Sequence, residues 1–275
     1  MLKKALENIL SEKESMELFS SFDQVGGIIV LRIPDSLQAK KKIIGETLLE
    51  QVKIARSVFY QSSPVEGEFR TRSLEILAGI DNTQTEYKET GFKFIVDVEK
   101  AFFSPRLSTE RERIVGLVKD GEVVVNMFGG IGMFSILIAR TKKCTVYNID
   151  INPEAVKLCN KNIEINKLVG NVISIEGDSS KIKNYNIENK SDRTLMLLPE
   201  QSDKFLDSAI LTTKNNGVIH YYSHMHADKK SDAPKLSEQH FLETTSVKST
   251  ILGSKIVRAV GPRFYQTVVD VKIKK

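Results

Sequence analysis

The sequence predicts an α/β protein: a mostly parallel sheet flanked by helices, preceded by a smaller α+β part. Three observations carry this. From about residue 103 onward, strand-like and helix-like stretches alternate. Parallel strands require such alternation, because each crossover must carry the chain back to the same edge of the sheet. Residues 123–139 form 17 positions without a charge, interrupted by Asn126, Gly129, Gly130 and Gly132. That run is shorter than the roughly 20 residues of a membrane span and reads as a buried strand, a glycine turn and a helix. Before residue 100 the pattern is mixed, with short strands separated by Gly67, Gly79 and Gly91. The expected domains are therefore 1–100 and 101–275.

In chain order, the first 18 residues read as a helix with Leu2, Leu6, Ile9 and Leu10 on one face. A turn over 21–27 leads to a strand over 28–33, stopped by Pro34, and a lysine-rich helix over 35–52. Short strands are predicted over 57–60, 72–78, 86–89 and 92–96. The second part reads as strand 122–127, helix 132–140, strand 144–149, helix 153–166 and strand 172–176. Strand 194–198, helix 201–213 and strand 217–223 follow, and alternation over 263–273 predicts an edge strand.

Composition excludes several classes. With 41% hydrophobic and 27% charged residues, the chain is neither disordered nor fibrous. Two cysteines, Cys144 and Cys159, cannot build a disulfide framework or a four-thiolate zinc site, and read as buried hydrophobes in a reducing compartment. The N-terminus has no apolar core of a signal peptide, which points to a cytoplasmic protein without a membrane segment. A net charge of +5 is compatible with a polyanionic partner without requiring one. The His224-x-His226 pair, with Asp228 two residues on, reads as a loop after a strand and not as a metal site.

The chemistry concentrates at the turn after the first strand of the second part: Asn126, Met127, Phe128, Gly129, Gly130 and Gly132. Glycines let such a turn close tightly and approach a ligand. Asp150 ends the next strand, where a carboxylate meets ribose hydroxyls, and Ile151 follows it. A dinucleotide site wants Gly-x-Gly-x-x-Gly. The spacing here is Gly-Gly-x-Gly after an aromatic, which favours S-adenosylmethionine. Asp178 and Ser179 end the third strand, where an acid meets the adenine amino group; Asp178 equally suits a helix N-cap. Asn152-Pro153 is good helix-start chemistry with or without a ligand. Leu198-Pro199-Glu200 ends the fourth strand, at the carboxyl edge where open α/β sheets bind ligands.

Segment 103–111 (Phe-Ser-Pro-Arg-Leu-Ser-Thr-Glu-Arg) resembles the signature that precedes the cofactor turn in archaeal and eukaryal tRNA (guanine-N1)-methyltransferases acting at nucleotide 37. Segments 22–26, 43–46, 64–70 and 74–79 resemble the family's middle domain, and 148–153 and 217–222 its catalytic domain. Gly261 to Tyr265 also resembles the family. The likeness implies a class I, Rossmann-like methyltransferase domain with a seven-stranded, mostly parallel sheet. It implies methyl transfer from S-adenosylmethionine to N1 of the guanosine 3′ of the anticodon, by a monomer aided by Mg²⁺. The family usually carries a further small N-terminal domain that these 275 residues do not include. Its cofactor turn is usually Asp-Met-Phe-Ala-Gly, against Asn126-Met127-Phe128-Gly129-Gly130 here. Its fourth strand usually ends Asn-Leu-Pro, against Leu197-Leu198-Pro199.

N1 of guanine carries a weakly acidic proton, so methylation needs a base and a donor or cation for the charge spreading to O6. The resemblance makes Glu110 the base, Arg70 the group polarising O6, and places Pro199 in the catalytic loop. Phe102, Arg106 and Leu197 fall on its substrate side, with Leu198 beside the cofactor. From the residues alone, Glu110 also suits an i,i+4 ion pair with Arg106, Arg70, in a strand-like segment beside Glu68 and Arg72, a solvated sheet face or a phosphate contact, and Phe102 core packing. Two alternatives remain open: a wybutosine-pathway transferase on the same fold (aminocarboxypropyl transfer or carbon methylation of a tricyclic guanosine precursor), and an RNA-binding module without activity.

Overall fold

Two largely apolar strands, Ile28–Leu31 and Val123–Asn126, lie in the interior of two separate sheets, each paired on both sides. The computed structural model describes residues 6–18 and 22–275. The chain divides into two compact units, 1–105 and 106–275.

In the first unit, α1 (Glu12–Glu17) starts at a capping box: Ser11 and Glu14 exchange side-chain-to-backbone hydrogen bonds. Of the helix expected over 1–18, the described residues are helical only at 12–17. Leu6 and Leu10 are still buried, through a turn, whereas Leu2 and the predicted turn residue Ser21 lie outside the described residues. β1 (Asp23–Val25) and β2 (Ile28–Leu31) form a hairpin across Gly26-Gly27. A 3₁₀ turn, Asp35–Lys40, precedes α2 (Lys41–Gln51), so the helix expected over 35–52 is split. β3 (Ser57–Gln61) pairs parallel with β2 and antiparallel with β4 (Leu74–Gly79). β5 (Gln84–Glu89) and β6 (Phe92–Asp97) form a separate hairpin. Leu31, Leu37, Ile44, Leu48, Val58 and Leu77 fill the core between α2 and the sheet.

The second unit opens with α3 (Ser108–Leu117) and then alternates strand and helix, except that a 3₁₀ turn (Ser179–Tyr185) joins β9 to β10 and β12 leads directly into β13. The order is β7 (Val123–Asn126), α4 (Met133–Thr141), β8 (Thr145–Asp150), α5 (Pro153–Glu164) and β9 (Asn171–Glu176). β10 (Ser191–Met196), α6 (Ser202–Thr212), β11 (Thr213–His226), α7 (Ala233–Thr244), β12 (Lys248–Gly261) and β13 (Phe264–Lys274) follow. The sheet order is β9-β8-β7-β10-β11-β13-β12. The first five strands are parallel, and β13 runs antiparallel to both its neighbours. This is the seven-stranded, mostly parallel sheet that the resemblance implies. One expectation is corrected: the C-terminal strand is not the edge. β12 takes the edge and pairs with β13 along most of its length, with register shifts around Gly253 and Arg258. Those irregularities blur its alternation, and the polar start of α7 around Pro234 hides that helix.

The two sheet faces differ chemically. One is apolar: Val125, Ile149, Met196, Ile219, Tyr221, Val269 and Val271 pack with Phe205 of α6 and Phe241 of α7. The other carries buried polar groups: Asn126, Asn148, His220 and Tyr222, facing α3 and α4. A buried polar group without a partner costs free energy, so this face binds its helices by matched hydrogen bonds.

Phe241 is fully buried whereas its neighbour Leu242 is 52% exposed. Phe241→Ala is expected to destabilise the protein by about 3–5 kcal/mol in urea unfolding, and Leu242→Ala by under about 0.5 kcal/mol.

Candidate active site

After β7 the chain turns through Met127 to Gly132 into α4. The geometry requires glycine at two of these positions. A Cβ on Gly129 would collide with the Asn148 side chain, and Gly132 has a φ of +88°. Asn148 cannot step aside. It is fully buried, accepts from Ser135 Oγ at 2.6 Å, and its amide donates to the Gly130 carbonyl at 3.4 Å. This is the physical reason for Gly129 where the resembled turn usually has Ala. The Gly130 N–H donates to Asp150 Oδ2 at 2.6 Å, and the Asn152 N–H donates to Oδ1 at 2.9 Å. Asp150 is thus clamped at the carboxyl end of β8, with a lone pair on each oxygen still able to accept a hydroxyl. Burial pushes its carboxyl up, against these two N–H groups.

The second cluster surrounds Glu110, which is 3% exposed. Arg113, one turn along α3, donates from Nε to both carboxylate oxygens (3.1 and 2.9 Å) and from Nη2 to Oε1 (2.7 Å). Tyr222 Oη on β11 donates to Oε1 at 2.5 Å, and Lys255 Nζ on β12 lies 3.2 Å from Oε2. Arg113 also holds Asp270 of β13, at 2.5 and 3.2 Å. Asp270 accepts from His220 Nδ1 at 2.6 Å; Arg193 Nη1 faces His220 Nε2 at 3.3 Å and its Nε donates to Glu122 at 2.7 Å. Burial pushes His220 down, which favours its neutral form, with Nδ1 facing Asp270 as the donor. Burial disfavours ionised Asp270 too, yet His220 and Arg113 together hold its carboxyl down at about 2. Burial beside the Glu110 charge keeps Tyr222 a phenol, raised well above its ordinary value. Burial also opposes the Arg113 charge, but its hydrogen bonds to Glu110 and Asp270 prevail and raise it.

Residues 85–243 match the TRM5/TYW2 methyltransferase domain and residues 2–83 the TYW2 N-terminal domain. The chain belongs to the TRM5/TYW2 methyltransferase family. It is 39% identical to "tRNA (guanine(37)-N(1))-methyltransferase Trm5b" of Pyrococcus abyssi, over 92% of this chain and 75% of that protein. It is 33% identical to "tRNA 4-demethylwyosine(37)-methyltransferase Taw21" of Saccharolobus solfataricus, over 94% of this chain and 96% of that protein. Among solved structures, the complex of aTrm5 with tRNALeu superposes with a TM-score of 0.84 at 36% identity, covering 99% of this chain and 78% of that one. TYW2 of P. horikoshii in complex with MeSAdo superposes at 0.79 with 26% identity, covering 100% and 98%. The second unit therefore has the Rossmann-like methyltransferase fold of the TRM5/TYW2 family.

Against that family frame, the expected site residues fall into groups. Asn126 is fully buried: its amide donates to Ser135 Oγ at 3.2 Å and its Oδ1 accepts the Phe128 N–H at 3.4 Å. Met127 is in the core, and buried Ser179 donates to its carbonyl at 2.5 Å. The side chains of Asn126, Met127 and Ser179 brace the turn from within. Phe128 is half-buried, edge-on to Phe205 with centroids 5.0 Å apart. Ile151, Asp178, Leu197, Leu198 and Pro199 are half-buried in the loops just past their strands. Asp178 does cap the following 3₁₀ turn: partial burial favours its neutral form, but the Ser180 N–H and hydroxyl hold its carboxyl down. The Leu198 carbonyl already accepts from Gln201 N–H and Ser202 Oγ, both at 3.0 Å. His224 Nδ1, at the end of β11, lies 3.8 Å from Glu200 of the same loop.

Arg70 belongs to the first unit and sits in a turn bounded by the Glu66–Thr71 bridge, not in a strand as expected. Its φ is +52°, and its guanidinium lies 4.9 Å from the Phe102 ring centroid. Arg106 is exposed in the 3₁₀ turn Pro105–Leu107. Glu110 is engaged instead by Arg113, Tyr222 and Lys255, partners the sequence reading did not assign. Only Arg113 had a local signal: an acid and an arginine three apart share one helix face. Cys144 and Cys159 are buried free thiols, which burial pushes up to about 11. Among the described residues, no cluster of three or more His, Cys, Asp or Glu side chains could hold a metal ion, and no helix is long and apolar enough to cross a membrane.

Two outcomes follow from this geometry. Gly129→Ala is expected to cost about 1–3 kcal/mol in urea unfolding, because buried Asn148 cannot yield. Asp270 has a folded value of about 2 against an ordinary 3.8, so it stabilises the folded state above pH 4. That stabilisation, about 2 kcal/mol, is lost as pH falls from about 4 to about 2. Asp270→Asn is expected to lose this acid sensitivity and to be about 3 kcal/mol less stable at pH 7, because Arg113 and His220 lose a partner. Urea unfolding at pH 3 and pH 7 measures both effects.

Proposed function

We propose that this protein is an S-adenosylmethionine-dependent tRNA methyltransferase that methylates N1 of the guanosine at nucleotide 37. The observation that carries the reading is the clamped glycine turn: Gly130 bonded to Asp150, beside the loop Leu197-Leu198-Pro199, at the carboxyl edge of the sheet. Ligands bind at this edge in open α/β sheets. The residues fit the cofactor, because Asp150 keeps acceptor capacity for ribose hydroxyls and Gly129 and Gly130 leave the backbone bare. Family membership and the likeness to Trm5b support the choice of tRNA. The domains are read as an RNA-binding accessory domain followed by the methyltransferase domain, in a protein that works as a cytoplasmic monomer.

When bound, S-adenosylmethionine would supply the methyl group, with its sulfur departing as a thioether. Phe128, Ile151 and Leu198 offer apolar surface around the cofactor, and Asp178 can meet the adenine amino group. Glu110 takes the N1 proton, and Arg70 is the cation assigned to O6. Phe102, Arg106 and Leu197 belong to the RNA side, with Phe102 able to stack on an unstacked base. The guanine must leave its stack, which costs a few kcal/mol and less in an open anticodon loop.

A second reading has its own support. The Taw21 relative matches over 96% of its length, and Leu197 stands where the resembled loop carries Asn. That reading is carbon methylation of a tricyclic guanosine precursor at the same nucleotide. Labelled S-adenosylmethionine with an unmodified tRNA transcript separates the two. Methyl label in 1-methylguanosine, absent with adenosine at nucleotide 37 and about 100-fold or more slower in Glu110→Gln, is the expected result. Label appearing only on tRNA that carries the tricyclic precursor would favour the second reading and remove the first.

A further inference from the structure

Glu110 poses a problem for its own role. A base needs a free lone pair aimed at the proton, and this carboxylate is buried under three donors. The three are not equally held. Arg113 is 19% exposed and is pinned from its far side by Asp270. Tyr222 is fully buried on the central part of the sheet. Removing Arg113 would leave buried carboxylates unmatched, and removing Tyr222 would take a buried donor from Glu110; both changes are destabilising. Lys255 is different. Its side chain is 40% exposed, it stands on the edge strand β12, and it meets Oε2 at 3.2 Å from the solvent side. Ion pairs with one exposed partner are weak and exchangeable.

The strand that carries Lys255 has a matching chemistry. From Lys248 to Gly261 the strand carries three cations (Lys248, Lys255 and Arg258) and no acid. Register shifts flank Lys255, at 251/253 and 256/258, while Lys255 itself pairs with Val268. Such an edge suits a polyanion, and a lysine ammonium binds a phosphate as readily as a carboxylate.

We propose that Lys255 is the exchangeable partner of Glu110: on RNA docking its ammonium moves to a backbone phosphate, and Oε2 becomes free to accept the N1 proton. The inference rests on the methyltransferase reading above. The N1–H bond breaks, the proton passes to Oε2, and the nitrogen pair left behind forms the bond to the methyl carbon. Arg113 and Tyr222 stay in place and keep the carboxylate aimed. Lys255 is thus a positioning residue: it holds Glu110 closed without RNA and opens it only when a phosphate takes its charge.

The test is tRNA binding as a function of salt, with single-turnover methyl transfer at saturating tRNA, for wild type, Lys255→Met and Lys255→Arg. Exchange predicts that Lys255→Met lowers the slope of log K against log salt by about 0.7–0.9, one phosphate contact. Its affinity falls by about 2- to 5-fold, while its rate at saturation is equal to wild type or higher. Lys255→Arg keeps the wild-type slope. An unchanged slope in Lys255→Met, or a saturating rate that falls toward that of Glu110→Gln, would overturn the proposal, with thermal melting to show that the variant is folded. Failure of the underlying reading looks different: wild type then transfers no methyl group, while the salt slopes still report whether Lys255 meets phosphate. A wild type that does not bind tRNA overturns both.

Discussion

The organisation of the second unit depends on one constraint: buried charge must be matched where it lies. Glu110 sits on α3, far in sequence from its partners on β11 and β12, and Arg113 joins the same helix to Asp270 on β13. These pairs tie the first helix of the unit to its three C-terminal strands. They are also directional, which an apolar interface is not. Breaking either pair of Arg113 leaves a charge in a place with little water, so these buried pairs fix the helix in one position on the sheet.

The two sheet faces divide the work. The face toward α6 and α7 is filled by Val, Ile, Met and aromatic side chains and supplies cohesion through apolar burial. The face toward α3 and α4 carries Asn126, Asn148, His220 and Tyr222 and supplies placement. Asn148 illustrates the second kind of work. It occupies the space a side chain at Gly129 would need, and it touches the Gly130 carbonyl, so a buried amide shapes the turn proposed to hold the cofactor. Asn126 and Ser179 act in the same way from below the turn.

Much of the local order was legible because it is written in short range. The uncharged run through Val123 and the glycines at 129, 130 and 132 announce strand, turn and helix, since buried parallel strands are continuously apolar and tight turns favour glycine. Asp150 was legible because it ends a strand next to that turn. The elements missed were those with weak local signals: α7 begins at a proline in a polar stretch, and β12 is interrupted by register shifts. Arg70 was misplaced for a related reason, since its left-handed backbone follows from the turn around it and leaves no mark on its neighbours.

The sequence by itself determined the family, the strand–helix rhythm and the chemistry available at the turn, because each depends on residues close together in the chain. Only the tertiary structure decided what Glu110 faces. Its partners Tyr222 and Lys255 come from strands more than a hundred residues away, brought to one sheet face by the pairing of β11, β13 and β12. Which side chains meet across a sheet is set by register, and register is a property of the assembled strands.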